Sequence, residues 1–263
     1  MSCRIFQVDA FTREPFKGNP AGVCLLDGPR DDEFLQNVAR EMNLSETAFP
    51  LVEGEGFHLR WFTPAVEVEL CGHATLATSH VLWEEGIAPL EAPIRYITKS
   101  GELRATSRGG VIELDFPAKP EQAVEAPESL IRAMGVMPRY VGRNQFDYLF
   151  LLDDEQAVRH VEPDFHLLRG AGARGIMVTA PSDTPDFDFV SRFFAPGVGI
   201  DEDPVTGSAH CCLGPFWAAR LGKTELRAYQ ASARGGELLV RVEGNRVILA
   251  GHAVTVLRGE LVV

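Results

Sequence analysis

The spacing of apolar and polar residues divides the chain into many short strands and a few helices. Short runs rich in β-branched and aromatic residues, at residues 4–11 and 21–26, predict strands near the amino terminus. They are followed by a stretch that predicts a helix from about residue 31 to 42, which Asp31 can cap. Alternating stretches at residues 102–116 and 237–250, interrupted by Arg-Gly-Gly and Glu-Gly-Asn, predict β-hairpins.

Two segments lack the polar face that a surface helix carries. Residues 73–83 and 208–219 contain small or apolar side chains on nearly every side, and Pro215 is positioned to kink the second segment. A helix without a polar face is buried. Each half of the chain is therefore expected to contain one buried helix.

The two halves of the chain resemble each other at a nearly constant offset. FTPAV at residues 62–66 recurs as FAPGV at residues 194–198, and the helix that runs to Trp83 recurs as the helix that runs to Trp217. The hairpin segments recur in the same order. The offsets fall between 132 and 136 residues. This ordered series of matches indicates a diverged internal duplication.

The predicted fold class is α+β, with two similar lobes that each consist of a mostly antiparallel, curled sheet around a buried central helix. The lobe boundary is expected in the segment rich in Pro, Ala and Glu near residues 117–127. This gives an amino-terminal lobe of residues 1–118 and a carboxy-terminal lobe of residues 119–263, with the active site expected in the cleft between them. The last strand, from residue 253, is also able to complete the first lobe.

Composition narrows the functional class. The chain has 263 residues, 45% of them hydrophobic, and a formal net charge of -12, which argues against a nucleic-acid partner that is bound through its phosphates. No segment predicts a secretory signal or a membrane span, so a cytoplasmic location and no membrane partner are expected. The five cysteines form no CxxC pair, which favours reduced thiols: Cys3, Cys24, Cys71, Cys211 and Cys212.

Both buried helices follow a loop that ends in glycine, at Gly72 and at Gly207. The free N–H groups at the start of a helix bind anions. Either loop alone is compatible with an ordinary helix start, but the pairing across the repeat favours a site for a small anionic substrate.

Glu46 lies where the chain passes from the first helix into an apparently buried strand, and the equivalent position in the second half is near Met177. A half-buried carboxylate is suited to general acid/base chemistry. A strand-end glutamate that faces solvent, or the partner of a helix cap, fits the same pattern.

Four motifs together resemble the PhzF-like (phenazine-biosynthesis-like) family over essentially the full chain. They are GNPAGV at residues 18–23, NLSET at 43–47, CGHAT at 71–75 and DPVTGSAH at 203–210. The resemblance implies the diaminopimelate-epimerase fold, no cofactor and frequently a homodimer.

The resemblance also assigns roles to individual residues. Glu46 is implied as the acid/base that moves a proton on a small carboxylate, which makes the protein an isomerase. His73, Asp203 and Ser208 are implied to line the substrate site, and Asn19 belongs to the same wall. His73 and Asp203 are candidates to relay or orient protons. The helix starts at Gly72 and Gly207 are expected to stabilise negative charge that develops on the substrate.

The cysteines separate two kinds of isomerase. Related amino-acid epimerases use two opposed thiols, one from each loop. Cys71 occupies the first position, but the second loop has no cysteine, and Cys211 and Cys212 lie within the helix, where a free cysteine behaves as a small core residue. A thiol-type amino-acid or hydroxyproline epimerase that uses Cys71 therefore stays an alternative, as does a binding protein of the same fold without turnover.

Other chemistries lack support in the sequence. His210 is followed directly by two cysteines, but adjacent cysteines cannot both face one ion comfortably, so no metal site is expected. The sequence has neither GxGxxG after a strand nor GxxxxGK, and no nucleotide cofactor is expected.

Overall fold

The computed structural model describes residues Ser2–Val262, and this part of the chain contains seventeen strands and six α-helices. The strands are β1 (Ser2–Ala10), β2 (Asn19–Leu25), β3 (Glu46–Glu53), β4 (Gly56–Phe62), β5 (Glu67–Val68), β6 (Ile94–Thr98), β7 (Gly101–Arg108), β8 (Val111–Pro117), β9 (Gln122–Ala123), β10 (Tyr140–Arg143), β11 (Asp147–Leu151), β12 (Gly175–Pro181), β13 (Phe189–Phe194), β14 (Glu225–Gln230), β15 (Gly236–Glu243), β16 (Arg246–Gly251) and β17 (Ala253–Val262). The helices are α1 (Asp32–Met42), α2 (Gly72–Glu84), α3 (Glu128–Met134), α4 (Glu155–Arg159), α5 (Phe165–Arg169) and α6 (Gly207–Leu221), with a 3-10 turn at Pro196–Val198.

The chain forms two compact units. Unit 1 comprises Met1–Asp115 and Ala250–Val263, and unit 2 comprises Phe116–Leu249. The carboxy-terminal strand β17 lies in unit 1, where it pairs antiparallel with β1 over the length of both strands.

The same sequence of strand pairings builds each unit. In unit 1, β1, β2, β3, β4, β6 and β7 pair in that order, and the pairings are antiparallel, parallel, antiparallel, parallel and antiparallel. In unit 2, β10 to β15 pair consecutively with the same alternation. Parallel neighbours need a crossover connection, and helices fall at these steps in both units. The predicted duplication and α+β class are therefore confirmed.

The crossover helix between the second pair of parallel strands is buried in each unit. In unit 1, α2 packs against β1, β2, β3 and β17, and nine of its thirteen residues are buried. In unit 2, α6 packs against β14 and β15, and nine of its fifteen residues are buried. The indole of Trp217 stacks on Phe189, with ring centroids 5.5 Å apart, and donates a hydrogen bond to Thr179. The absence of a polar face in the sequence thus correctly predicted both buried central helices, α2 and α6.

Surface elements follow their local sequence signals. The carboxylate of Asp31 accepts a hydrogen bond from the backbone N–H of Phe34 and caps α1, as predicted. Positive φ angles at Gly109, Gly110 and Gly244 close the two predicted hairpins. In the described part of the chain, no helix combines the length and the hydrophobicity that a membrane crossing requires.

Candidate active site

Glu46 is placed by the end of α1 and the start of β3. Asn43 ends the helix in the left-handed conformation, with φ at 49°, and turns the chain toward the sheet. Glu46 is then the first residue of β3 and pairs with Ala21 of the parallel strand β2. Parallel strands begin at the same edge of a sheet, so Asn19, the fully buried first residue of β2, lies at the edge where Glu46 lies.

The start of α2 brings two further side chains to Glu46. Cys71 is the N-cap residue and His73 is the second residue of the helix. The Oε2 atom of Glu46 lies 3.2 Å from Nε2 of His73, and Sγ of Cys71 lies 3.5 Å from Nδ1 of the same ring. The imidazole therefore sits between a carboxylate and a thiol, with one ring nitrogen toward each.

Burial controls the charge of this histidine. Only 5% of His73 is exposed, and burial lowers its pKa from 6.5 to about 3. The ring is neutral at pH 7, so one nitrogen carries a hydrogen and the other carries a lone pair. Although Nε2 is close to Glu46, it has no aligned hydrogen bond among residues 2–262. This pair of side chains has the separation, but not the alignment, of a formed hydrogen bond.

The same three side chains are the one group in the described chain with the composition of a metal site. Glu46, Cys71 and His73 each offer one ligand atom, and these atoms lie within 4.8 Å of one another. However, His73 presents opposite ring nitrogens to its two neighbours. An ion bound by all three residues would use only one of these two nitrogens.

The loop before α6 in unit 2 is held by Gln230. The side-chain amide of Gln230 donates to the main-chain carbonyl of Asp203, and its carbonyl oxygen accepts from the N–H of Thr206. The carboxylate of Asp203 accepts a 2.6 Å hydrogen bond from the hydroxyl of Thr206. At the helix start, Gly207 is buried and Ser208 is exposed. The predicted residues of this loop are thus gathered at one helix terminus, and Gln230 is a supporting residue that no sequence motif indicated.

The polar side chains inside α6 have other partners. Nδ1 of His210 donates to the main-chain carbonyl of Thr206, 2.8 Å away, and burial lowers the pKa of this histidine to about 4. Cys211 and Cys212 are both buried, and burial raises the pKa of each thiol to about 12. These thiols are core residues, as predicted, and are unsuited to serve as bases.

Strand register identifies the counterpart of Glu46 in unit 2. Thr47, the next residue after Glu46, pairs with Phe62, and Ile176 pairs with Phe194. Because Phe62 and Phe194 are matched by the repeat, the counterpart of Glu46 is Gly175, two residues before the position suggested by sequence offset alone.

Unit 2 has no room for a side chain at that position. A Cβ atom on Gly175 would lie 2.2 Å from Cζ of Phe193 and 3.0 Å from a carboxylate oxygen of Asp147. Phe193 is buried, so its ring cannot swing into solvent without loss of packing. Register and packing therefore leave unit 2 without a counterpart of the Glu46 side chain, and the buried carboxylate of Asp147 on the neighbouring strand lies beside Gly175 instead.

The central helices differ in capping from three of the four other helices; the fourth, α3, follows Pro127 and also lacks a side-chain cap. The N-cap aspartates of α1, α4 and α5 accept hydrogen bonds from the first turn of their helices. The N-cap residues of α2 and α6, Cys71 and Thr206, make no such side-chain bond. The side chains of these two N-cap residues thus do not cover the first N–H groups of the buried helices, and N–H groups at a helix start can bind an anion.

A separate concave region of unit 1 lies away from these residues. It has a volume of about 270 Å³ and is lined by residues that include Val52, Phe57 and Pro89. Val52 is near the end of β3 that is opposite to Glu46. This cavity is therefore not part of the candidate site.

Known proteins resemble this chain over its whole length. A family model described as phenazine biosynthesis-like protein (PhzC-PhzF) matches residues 8–259. A protein of Halalkalibacterium halodurans named as an uncharacterized isomerase is 55% identical over 262 residues, which are 99% of both chains. The crystal structure of a PhzF-family phenazine biosynthesis protein of Enterococcus faecalis is 42% identical, covers 100% of both chains and superposes with a TM-score of 0.96.

A more distant structure shares the fold alone. The crystal structure of a hydroxyproline epimerase of Agrobacterium vitis is 13% identical, with a TM-score of 0.66 over 99% of this chain and 92% of that chain. Together with the two-unit topology, these matches confirm the epimerase-like fold that the four sequence motifs predicted.

Proposed function

The chain belongs to the phenazine biosynthesis-like family and is an isomerase, and we propose that Glu46 is its general acid and base. The observation that carries this proposal is the contact between the half-buried carboxylate of Glu46 and the neutral, buried ring of His73, 3.2 Å away. A carboxylate that is shielded from bulk water and has a proton-bearing ring beside it is suited to take up and return one proton.

The proposed reaction moves one proton on one substrate molecule. The Glu46 carboxylate removes a proton from a carbon atom that is next to a group able to accept charge. The electron pair of the broken C–H bond stays on the substrate and is delocalised into that group. The Glu46 carboxyl then returns the proton to another atom of the substrate, which regenerates the carboxylate. Atoms and electrons balance without an added oxidant or cofactor.

The substrate is proposed to be a small carboxylate. The support for this assignment is the uncovered first turn of α2 directly beside Glu46, where the N–H groups that follow Cys71 and the positive end of the helix dipole favour negative charge. The same groups would stabilise charge that develops on the substrate after proton removal. The uncapped start of α6, with Gly207 and Ser208, has the same property and is proposed as a second anion-binding element.

A thiol-type epimerase is the second candidate, because Cys71 lies in the same cluster. Its sulfur is 3.5 Å from His73, close enough to exchange a proton with the ring. Epimerisation by two thiols would need a second thiol, and the cysteines of α6 are buried with pKa values near 12. The Glu46 mechanism needs no such partner and is therefore favoured.

Deuterium wash-in distinguishes these mechanisms. Wild-type protein, Glu46→Gln and Cys71→Ser would be incubated in heavy water with a panel of small carboxylates, and mass spectrometry would detect deuterium bound to carbon. We expect Glu46→Gln to slow exchange by about 10²- to 10⁴-fold, the usual contribution of a general acid/base. Glu53→Gln is the matched control, because Glu53 is an exposed glutamate at the other end of the same strand.

Each outcome identifies a different mechanism. Exchange that persists in Glu46→Gln but is lost in Cys71→Ser would replace the carboxylate mechanism with the thiol mechanism. Absence of exchange by wild-type protein across the panel would contradict the proposed substrate class and favour a binding function.

A further inference from the structure

The hydrogen positions on His73 follow from its two neighbours, if Glu46 rests as a carboxylate, as the proposed function requires. An ionised carboxylate has only lone pairs to offer. Nε2 of His73 faces Oε2 of Glu46 at 3.2 Å, and two lone pairs at that distance would repel each other. This contact therefore favours the tautomer with the ring's hydrogen on Nε2, on the side of Glu46.

The other ring nitrogen then needs a donor. Because the neutral imidazole carries one hydrogen in total, Nδ1 has a lone pair when Nε2 is protonated. The Sγ atom of Cys71 lies 3.5 Å from Nδ1, within the distance of a hydrogen bond to sulfur. A thiol can donate its hydrogen in this position. In this arrangement the thiol donates to the ring, and the ring's own hydrogen lies on the side of the carboxylate.

We propose that Cys71 is a positioning residue: its thiol donates to Nδ1 of His73 and holds the ring in the tautomer that presents Nε2–H to Glu46. The thiol neither takes a proton from the substrate nor forms a bond to it. Its effect reaches the substrate only through the orientation of His73 and Glu46. This role rests on the proposed function, and it accounts for a cysteine at an N-cap position where it makes no capping bond.

A second buried histidine supplies an internal reference. Nδ1 of His210 lies 2.8 Å from the main-chain carbonyl of Thr206, which can only accept a hydrogen bond, so His210 must carry its hydrogen on Nδ1. Both rings are neutral at pH 7, since burial lowers both pKa values to about 4 or below. The two histidines are therefore expected to adopt opposite tautomers in one protein.

Nitrogen-15 NMR of protein with labelled histidine at pH 7.5 measures the tautomers directly. Signals are assigned by their loss in His73→Gln and His210→Gln. We expect His73 to be protonated on Nε2 and His210 on Nδ1. In Cys71→Ala, His73 should gain a substantial population of the Nδ1–H form. Cys3→Ala is the matched control, because it removes another buried thiol of unit 1 and should leave the tautomer unchanged.

Kinetics provides a second measurement. We expect Cys71→Ala to lower kcat by about two- to tenfold, the worth of one hydrogen bond, with little change in KM. A wild-type His73 protonated on Nδ1 would overturn the proposal, and so would a Cys71→Ala protein whose tautomer is unchanged. Neither result depends on turnover, so failure of the tautomer assignment is distinguishable from failure of Glu46 as the acid/base, which only the exchange assay tests.

Discussion

The starts of α2 and α6 occupy equivalent places in the two units and differ in chemistry. Each follows the fourth strand of its repeat and leads into a buried crossover helix, and neither has a side-chain cap. At the fourth helical position, Thr75 in α2 and His210 in α6 both bond to the main-chain carbonyl of the N-cap residue. The backbone frame of this region is therefore shared.

The side chains around that frame are not shared. In α2, His73 contacts a carboxylate and a thiol, whereas in α6 Nδ1 of His210 donates to a carbonyl of its own helix start and Nε2 has no hydrogen bond among residues 2–262. At the position where β3 has Glu46, β12 has Gly175, which a packed phenyl ring covers. The comparison shows that both units keep an uncapped helix start, while among the described residues only unit 1 has the cluster of carboxylate, thiol and imidazole. The following predictions test that asymmetry, beginning with the largest effect.

Acid should destabilise the protein through both buried histidines. Their folded-state pKa values, about 3 for His73 and about 4 for His210, lie below the unfolded value of 6.5, so unfolding takes up protons below pH 6.5. Their stabilisation is complete above pH 6.5 and is lost as the pH falls toward the folded values. Each histidine should lower the free energy of unfolding by about 1.4 kcal/mol for each pH unit below 6.5, which is about 2 kcal/mol at pH 5.

Urea unfolding at pH 7, 6 and 5 measures this loss. Carboxylates that do not contact a histidine contribute equally to wild type and variants, so the difference in slope isolates His210 in His210→Gln and reports His73 together with its neighbour Glu46 in His73→Gln. His210→Gln and His73→Gln should each flatten the dependence on pH, by a similar amount. A slope that neither substitution changes would show that these rings are not the buried neutral groups that the structure describes.

Sequence patterns predicted the helices, their boundaries and the internal repeat better than they predicted the contacts of the candidate site. The absence of a polar face predicted both central helices, and Asp31 and the glycine turns predicted local boundaries, because these signals depend on neighbours in sequence. The repeat predicted the duplication but placed the counterpart of Glu46 two residues late, since strand pairing, and not residue offset, fixes which positions are equivalent. The register was available only from the structure.

The contacts of the candidate site join residues that are far apart in the sequence and meet only in the folded chain. Glu46 and His73 are distant in sequence, and only the packing of α2 against β3 brings their atoms within 3.2 Å. Motif resemblance predicted both residues without giving a distance or an orientation. Gln230, which holds the loop before α6, had no signal at all, because a single glutamine at the end of a strand has no pattern.

Gly175→Ala should affect stability and not chemistry. The added methyl group would lie 2.2 Å from the buried ring of Phe193, and overpacking of this kind costs about 1–3 kcal/mol. Folded Gly175→Ala protein should exchange deuterium at the wild-type rate, because unit 2 has no acid/base side chain at this position. Thermal or urea unfolding measures the loss of stability.

Gly170→Ala is the control for that substitution. Its Cβ would meet only an ordinary contact at 3.6 Å, and its φ angle is -85°, so the change should be neutral or slightly stabilising. Equal effects at the two glycines would contradict the close packing of Phe193 at position 175, and a loss of exchange in folded Gly175→Ala would place chemistry in unit 2.

The smallest effects are expected at the capped surface helices, which should respond alike in the two units. Asp31 caps α1 in unit 1 and Asp154 caps α4 in unit 2, through hydrogen bonds of 2.8 and 2.7 Å to backbone N–H groups. Alanine at either position should cost about 1 kcal/mol, and asparagine, which keeps the capping oxygen, should cost less. Urea unfolding measures the stability of the alanine and asparagine variants, and deuterium exchange should be unchanged in all four.

Equal stability losses with unchanged exchange would show that these aspartate caps have a structural role only, unlike the uncapped starts of the central helices. A large loss of exchange in Asp31→Ala alone would mean that α1 positions Glu46 through its cap, and that the asymmetry of the two units extends beyond the residues in contact with His73.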